Sequence, residues 1–322
     1  GAGNASQAGP RAEKKVISYS LYGANPKYVL GAERNADLIH TIFPGWVARF
    51  YVDAGTVPEA TQAALRRHGA EVLPIDMSKR GHQSMFWRFF AAADPAVDRF
   101  ISRDVDSRLM PRDAVAVSEW EASDFAFHVI RDHPSHSRYP MSGGLWGCVK
   151  GALPEIMTQI DSYPANSNYL TDMNFLNLVV WPRARNRTLQ HDSFSCDVYP
   201  GARAYPVPPD MGGAHVGQVF DESGASRPVD VQIILSAQQP AACRPGGTGF
   251  SSAAAVGDAG PHDECTRLRR LYQVEPGRSW GGLPAPLEPR WHKLECDRLA
   301  APQSRRGRHV GGGGGPKGSA GL

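Results

Sequence analysis

Two carboxylates, Asp104 and Asp106, lie one residue apart directly after an apolar run that includes Phe100 and Ile101. If this run is a strand, its side chains enter the core of a sheet and the chain turns at the carboxyl edge, where open α/β sheets bind ligands. Because side chains at i and i+2 share one face of an extended chain, both carboxylates can reach one hard divalent cation. Such a cation can hold a diphosphate. The alternative is a solvated acidic turn, since turns favour Asp.

The elements that must position this pair alternate between strand and helix. The patterns predict strands at residues 16–21, 46–52, 71–75, 99–103 and 125–130, with helices at 58–68, 84–93 and 111–123 and another starting at Pro26. Strands separated by helices predict an α/β fold with a mostly parallel sheet covered on both faces. The acidic pair then follows three earlier β-α units.

Composition divides the chain into three parts. Residues 1–13 are small and polar and are predicted to be a disordered leader, and residues 14–235 form the folded body. Residues 236–322 are rich in Pro, Gly, Ala and Arg and are predicted to be mostly disordered, because such a segment buries too little apolar area to offset its chain entropy. Within this tail, a short helix at 264–272 and the side chains of Trp280 and Trp291 are the candidate anchors.

Overall composition excludes several classes of protein. With 322 residues, 41% hydrophobic and 21% charged, the chain is typical of a globular protein. A formal net charge of +3 is too small to indicate a nucleic-acid partner. No apolar run approaches the ~20 residues that span a bilayer and no signal peptide is visible, so the compartment stays open. The 5 cysteines contain no C-x-x-C pair, so neither a zinc knuckle nor a disulfide framework is expected.

Three families of phosphate chemistry are disfavoured by their motifs. A haloacid-dehalogenase-type phosphatase would carry its Asp pair directly after the first strand and follow it with Thr or Val, whereas Ser107 and Arg108 follow this one. The chain has no G-x-x-x-x-G-K-[ST] loop, and no G-x-G-x-x-G follows the first strand. The usual signatures of ATP and NAD binding are therefore missing.

The motifs around the acidic pair resemble those of a known family. Residues 85–90 (MFWRFF) and 100–108 (FISRDVDSR), with Asp94-Pro95 between them, resemble GT-A-type glycosyltransferases. Later motifs fit the same succession, which is similar to that of poorly characterised bacterial and algal glycosyltransferase-like proteins: residues 131–134 (RDHP), 142–147 (SGGLWG), 171–176 (TDMNFL) and 191–194 (HDSF). The resemblance covers about residues 14–222. It implies a GT-A-like sheet and transfer of a sugar from a nucleoside-diphosphate sugar to an unknown glycan, lipid or protein acceptor.

Under this resemblance Asp104 and Asp106 would hold Mn²⁺ or Mg²⁺, and Asp104 would also touch the ribose. The ion would neutralise charge on the departing diphosphate as a Lewis acid. His191 is the candidate third metal ligand, although a lone histidine is more often structural. The flanking Arg103 and Arg108 would meet phosphate oxygens or form ordinary ion pairs.

The end of the first strand would bind the donor base. Ser18, Tyr19 and Ser20 lie there, and Tyr22 or Tyr28 would supply a stacking face. The competing interpretation is a core strand with a polar exit. Arg88 lies among aromatic residues in the predicted helix at 84–93, before the strand that leads to Asp104. We expect its side chain to face the diphosphate and not to extend to water.

Two later motifs complete the predicted site. Gly143 and Gly144 would let the backbone approach the ligand, and Trp146 would support a sugar face, unless this segment is a tight turn into a core strand. Asp172 would act as general base or contact the donor sugar, or would be a helix-start carboxylate stabilised by the dipole. Met173 stands where similar enzymes often have Gln. His133 and His136 are predicted in a loop lining the acceptor cleft.

Two other functions stay open. A sugar nucleotidyltransferase shares the sheet and metal chemistry but normally has a basic, Gly-rich loop after the first strand, where this chain has Tyr22-Gly23-Ala24-Asn25. A non-catalytic nucleotide-sugar-binding protein on a degenerate transferase scaffold is the second alternative, and Met173 is its main support.

Overall fold

The structure, a computed structural model, describes residues 11–76, 84–164 and 170–244. Its described part begins within the predicted leader, where Arg11 pairs with Asp98 at 2.5 Å. It continues past the predicted boundary at residue 235 to Arg244. The remaining predicted tail, with Trp280, Trp291 and the helix at 264–272, lies outside the described residues.

Eight strands form one mixed sheet in the order β3-β2-β1-β4-β6-β5-β7-β8. Only β6 runs antiparallel to its neighbours, β4 and β5, and the other pairs in the sheet are parallel. The strands are β1 Lys15–Leu21, β2 Trp46–Val52, β3 Glu71–Pro74, β4 Arg99–Ser102, β5 Phe127–Arg131, β6 Trp146–Val149, β7 Thr188–Asp192 and β8 Ala202–Ala204. The predicted α/β class with a mostly parallel sheet is confirmed.

The helices of the described residues connect these strands. The α-helices are α1 Pro26–Ile42, α2 Glu59–Arg67, α3 Pro111–Glu121, α4 Ile156–Ser162, α5 Thr171–Phe175, α6 Trp181–Ala184 and α7 Pro228–Ser236. The 3-10 helices are Ser84–Ala93, Pro134–Arg138, Arg185–Arg187 and Ala241–Cys243, and Leu176–Val180 is a π-helix. No helix in this part of the chain is both long and apolar enough to cross a membrane.

Side-chain alternation along β1 sends residues into cores on both faces of the sheet. Val16 enters a core that includes Phe86, Phe89 and Phe175, whereas Ile17 enters one that includes the α1 residue Ala36. Each sheet face is therefore covered, and the carboxyl ends of the central parallel strands are left as the place for a ligand.

Two predicted helices have different geometry in the structure. Residues 84–93 form a 3-10 helix. The helix expected to start at Asp172 is α-helical only over Thr171–Phe175 and continues as a π-helix at Leu176–Val180. π-turns of this kind occur mostly inside α-helices and often at functional sites.

A disulfide corrects the cysteine prediction. Cys196, in the loop after β7, is bonded to Cys243 in the last described 3-10 helix. An odd number of cysteines does not exclude one bridge, and Cys148 is buried and free. The bridge fixes the segment after α7 to the sheet.

Candidate functional site

Helix α1 holds the loop that carries the acidic pair. The buried Asn35 side chain donates to the carbonyl oxygens of Val105 at 3.3 Å and Ser107 at 2.9 Å, and it accepts from the amide of Leu109 at 3.1 Å. One turn earlier, Gly31 packs so closely on the Val105 carbonyl that a Cβ there would collide with it. The loop is therefore fixed by polar contacts at the carboxyl end of β4.

Asp106 contacts a lysine from the first turn of the same helix. The Lys27 Nζ lies 2.7 Å from Asp106 Oδ2. Asn25 starts this helix by accepting a hydrogen bond from the Lys27 amide at 3.0 Å, and Pro26 follows it in the first turn. Lys27, Gly31 and Asn35 are spaced by four residues, so they form one line along the helix that faces the acidic loop. Sequence reasoning placed this helix start correctly but missed Lys27.

Arg88 joins the acidic pair to a third carboxylate. Its guanidinium donates to Asp104 Oδ1 and to Asp172 Oδ2, each at 2.5 Å. Its backbone amide donates to Ser20 Oγ at 2.9 Å, which ties the 3-10 helix Ser84–Ala93 to the end of β1. The structure thus brings together four predicted site residues that lie far apart in the sequence.

Gly143 and Gly144 lie against these charged groups. A Cβ on Gly143 would come within 2.7 Å of Asp172 Oδ2, and one on Gly144 within 2.6 Å of Asp104 Cγ. The Gly143 amide donates to the Met173 sulfur at 3.1 Å, so Met173 fixes the glycine segment to the start of α5. Only glycine fits at these two positions without displacing the carboxylates.

Burial and charge shift the pKa values of this cluster. Partial removal from water raises the pKa of Asp104 despite the opposing attraction of Arg88, and the like charge of Asp106 adds to the increase. The pKa of Asp172 is raised in the same way, by burial against the pull of Arg88, with Asp104 as the like charge. For Arg88, burial is outweighed by the two carboxylates and the pKa is raised, so its guanidinium stays charged.

Asp104 has capacity for a further ligand. Its side chain is 41% exposed, and among the described residues its Oδ2 accepts no hydrogen bond. Three carboxylates against the paired Lys27 and Arg88 leave one negative charge at the site. Accessible carboxylate oxygens with residual negative charge fit a hard divalent cation such as Mg²⁺ or Mn²⁺.

Three carboxylates do not, however, converge on one point here. Within the described ranges, the group of His, Cys, Asp or Glu side chains close enough to share an ion is Asp192, Cys196 and Cys243, whose cysteines form the disulfide. A cation at Asp104 and Asp106 would therefore need oxygens from its ligand as well as from the protein.

His191 is not brought to the acidic pair. It lies on β7, three strands from β4 in the sheet, which is about 14 Å at the usual strand spacing. Its Nδ1 is 2.8 Å from His128 Nε2, and its Nε2 is 3.3 Å from a Glu119 oxygen. Because the side chain is fully buried between these partners, the prediction of His191 as third metal ligand is corrected to a structural histidine.

Trp146, predicted to support a sugar face, and Tyr19, predicted at the base-binding end of the first strand, are core residues. Trp146 is fully buried, with Phe100 at 4.9 Å between ring centroids and Phe89 at 5.3 Å. Tyr19 is fully buried and stacks on Phe50 at 4.7 Å. Burial raises the pKa of Tyr19 far above its ordinary value. The interpretation of both segments as core strands is the one that matches the structure.

The remaining β1 candidates differ from Tyr19 in the face they occupy. Ser18 and Ser20 point to the face that carries Arg88, and the buried Ser18 Oγ has no hydrogen-bond partner among the described residues. Tyr22 is 44% exposed with its ring edge on Trp87, and Tyr28 is 37% exposed beside Lys27. Tyr22 and Tyr28 therefore remain accessible rings next to the site.

Arg103 and Arg108 form ordinary structural contacts. Arg103 is buried and makes a bidentate ion pair with Asp113 at 2.6 and 2.8 Å. Arg108 donates to the Ser107 carbonyl at 2.9 Å and lies over the Phe220 ring. For Arg103, the alternative of an ion pair is the observed one.

The RDHP and HDSF motifs bind each other. Arg131 donates to Asp192 Oδ2 at 2.5 Å, and the two residues are neighbours in the parallel register of β5 and β7. Asp132 accepts from Ser193 Oγ at 2.5 Å and from both ends of the Arg112 guanidinium at 2.7 Å. These motifs therefore build a buried polar network between two strands.

His133 and His136 belong to a histidine cluster. His133 is buried, stacks on His215 at 4.5 Å and lies 3.0 Å from the Asp230 carbonyl of α7. His136 is 5.6 Å from His133 between ring centroids. The cluster packs the loop after β5 onto the start of α7, and the predicted role of this loop in lining an acceptor cleft stays a prediction.

Comparisons with known proteins give only distant similarity. No protein-family model and no curated protein matches the chain. Glucosyl-3-phosphoglycerate synthase from Mycobacterium tuberculosis, in complex with Mn²⁺ and UDP-glucose, superposes with a TM-score of 0.37 and 12% identity over 56% of this chain and 68% of that one. An active-site mutant of LgtC gives 0.34 and 12% over 82% and 98% of the two chains. These scores are too low to assign a family.

Proposed function

We propose that the protein is a metal-dependent, GT-A-type glycosyltransferase that moves a sugar from a nucleoside-diphosphate sugar to a glycan, lipid or protein acceptor. One observation carries the proposal. Asp104 presents an accessible, incompletely hydrogen-bonded carboxylate at the carboxyl end of β4, next to Asp106, two cationic side chains and two glycines. Open α/β sheets bind ligands at this edge.

Each residue of the cluster has a physical role in this proposal. Asp104 and Asp106 would hold Mn²⁺ or Mg²⁺ through oxygen, and the bound ion would stabilise charge on the diphosphate. Gly143 and Gly144 have no side chains, which leaves room for the charged ends of Arg88, Asp172 and Asp104. The Ser20 hydroxyl accepts from the backbone amide of Arg88 and so positions this residue. The Arg88 guanidinium then faces the carboxylates and the phosphates that would approach them. Tyr22 and Tyr28 are the rings available to a base.

Asp172 is proposed as the group that contacts the donor sugar or removes the acceptor proton. Its side chain is 3% exposed, its Oδ1 accepts from the Met173 amide at 2.8 Å, and its Oδ2 accepts from Arg88. A raised pKa brings a carboxylate closer to neutral pH, where proton transfer to it is most useful. Arg88 keeps this carboxylate ionised and oriented.

The test is ligand binding by variants of the acidic pair. We expect one nucleoside diphosphate in a panel of UDP, GDP, ADP and CDP to raise the Tm only when Mn²⁺ is present, by roughly 5 °C or more at about 100 times its Kd. Asp104→Asn and Asp106→Asn should each abolish this shift while the protein remains folded. Asp37→Asn, at an exposed carboxylate of α1, is the matched control and should keep the shift.

A second measurement separates an enzyme from a binding protein. A transferase should slowly hydrolyse the sugar nucleotide that contains the base selected in the panel, and Asp172→Asn should slow this hydrolysis more than it weakens binding. Unchanged nucleotide binding in both Asp104 and Asp106 variants would contradict the proposed function.

A further inference from the structure

The two carboxylates of the acidic pair each have a cationic partner of their own. Lys27 lies 2.7 Å from Asp106, and Arg88 lies 2.5 Å from Asp104. The Lys27 and Asp106 side chains are 27% and 17% exposed, so this ion pair is partly shielded from water. A divalent cation that uses both carboxylates must therefore compete with two resident positive charges.

Charge balance favours simultaneous binding of cation and diphosphate. The five paired groups carry one net negative charge. A divalent cation alone would reverse this charge, and the diphosphate of a sugar nucleotide, which carries two negative charges, would alone leave three negative charges in one recess. Together the two ligands restore the original balance. Charges placed a few ångströms apart near a protein surface interact strongly, so the difference between these states is large.

We propose that Lys27 and Arg88 are exchangeable counter-ions. They pair with Asp106 and Asp104 until a divalent cation binds the two carboxylates, and both cationic side chains then turn to the donor diphosphate. Cation and nucleotide then bind cooperatively. The proposal rests on the proposed function and adds a positioning residue, Lys27, to the site.

The two side chains suit this exchange in different ways. Lys27 has a flexible stem and a compact ammonium, which can leave Asp106 without disturbing the start of α1. Arg88 keeps its second ion pair, with Asp172, when it releases Asp104. Its guanidinium therefore pivots about Asp172, and one half of its planar fork becomes available to a phosphate.

The exchange predicts opposite effects of one substitution on two affinities. Lys27→Met removes the competing charge and should tighten binding of Mn²⁺ alone by about tenfold. It also removes a phosphate partner, and it should weaken binding of the nucleoside diphosphate at saturating Mn²⁺ by about tenfold. By linkage, the factor by which each ligand strengthens the other falls in the variant.

The experiment measures Mn²⁺ affinity by electron paramagnetic resonance at low salt, and nucleotide affinity by calorimetry at saturating Mn²⁺, with the nucleotide selected in the thermal-shift panel. Lys15→Met is the matched control. Lys15 pairs with Glu121 at 2.7 Å and lies at the opposite end of β1, so both affinities should equal those of the wild type. Lys27→Arg retains the charge and should resemble the wild type more than Lys27→Met does.

The outcomes separate this inference from the proposed function. If Lys27→Met leaves Mn²⁺ affinity unchanged or lowers it, the exchange is wrong, and the proposed function still stands when the wild type binds nucleotide with Mn²⁺ and Asp104→Asn does not. If Lys27→Met tightens Mn²⁺ but no nucleoside diphosphate binds the wild type, both the proposed function and the exchange are overturned.

Discussion

Two regions of the molecule contain arginine and aspartate in close contact, and they differ in how fully the carboxylates are hydrogen-bonded. In the network between β5 and β7, Asp192 accepts from Arg131, from the amides of Phe194 and Ser195, and from the Ser195 hydroxyl. Asp192 is fully buried. At the other region, the Asp104 carboxylate accepts from Arg88 alone among the described residues.

The number of hydrogen-bond donors distinguishes a structural carboxylate from one that can bind a ligand. A buried carboxylate with four donors has no capacity left for a ligand, and its charge is already compensated. A carboxylate with one donor and an accessible oxygen can exchange that donor for a cation. Motif letters alone do not distinguish Arg131-Asp132 from Arg103-Asp104, because the distinction depends on partners contributed by distant strands.

The largest effect should come from breaking the buried network. Arg131→Met leaves Asp192 as an uncompensated buried charge, and we expect the free energy of unfolding to fall by about 3–5 kcal/mol. Urea unfolding measures this change. Arg11→Met removes an exposed partner of Asp98 and should cost at most about 1 kcal/mol. Similar losses of unfolding free energy in both variants would show that the buried network stabilises the fold no more than an exposed ion pair does.

Loss of the disulfide should have the next largest effect on the stability of the region around β5 and β7. Cys196 and Cys243 are 47 residues apart and join the loop after β7 to the end of the described chain. Cys243→Ser should lower the free energy of unfolding by about 2–4 kcal/mol. A reducing agent should lower the Tm of the wild type and leave that of the variant unchanged. Equal responses to reductant would argue against the bridge.

A smaller effect is expected at the site around Asp104, where the measured quantity is nucleotide affinity. Gly144→Ala places a Cβ against Asp104 and should weaken Mn²⁺-dependent nucleotide binding tenfold or more, which is about 1.4 kcal/mol, with little loss of stability. Gly55→Ala is the control, since its Cβ would lie 3.4 Å from the nearest side-chain atom. Normal nucleotide binding by Gly144→Ala would mean that Asp104 is not held by this backbone.

The smallest expected effect concerns pH. Burial lowers the pKa values of His133, His136 and His215, and neighbouring histidines add to the decrease for His133 and His136. The folded protein therefore binds fewer protons at these sites than the unfolded chain does, so their contribution is full above about pH 6.5 and is lost as the pH falls. The Tm should decrease from about pH 7.5 to about pH 5.5, and less so in His136→Asn.

Neighbouring charges oppose one another at this cluster, which keeps the expected shift small. The charged residues around it are Asp132, Asp230, Arg131 and Arg227. The raised pKa values of Asp104 and Asp172 act in the opposite direction, because protonation of these carboxylates is favoured in the fold. An identical pH profile for His136→Asn and wild type would remove the cluster as the source of the decrease.

The sequence predicted the first five strands well because each has a local apolar signal with turn residues near its ends, whereas the polar β7 (TLQHD) and the three-residue β8 have no such signal and were not predicted. Residues 46–52 coincide with β2, and β1 differs from its prediction by one residue. The antiparallel direction of β6 and the strand order depend on pairings between distant segments, which periodicity does not encode.

The site was predictable in part for the same reason. Asp104, Arg88 and Asp172 were recognised from motifs, and the structure brings them within hydrogen-bond distance. Lys27 and Asn35 carry no motif, and their relevance appears only when α1 is placed beside the acidic loop. The sequence could not tell Trp146 from a residue that supports a sugar, or Tyr19 from one that contacts the base, because aromatic side chains occur both in cores and at ligands.

Because Lys27, Gly31 and Asn35 are spaced by four residues along α1, the number of residues between them cannot change without loss of one of their contacts with the acidic loop. Inserting or deleting one residue between Lys27 and Asn35 would rotate one part of the helix by about 100° relative to the other. The lysine would then point away from the acidic loop while the asparagine still gripped it. Homologues that share this site should therefore vary freely on the solvent side of the helix, yet show no insertions or deletions in this stretch.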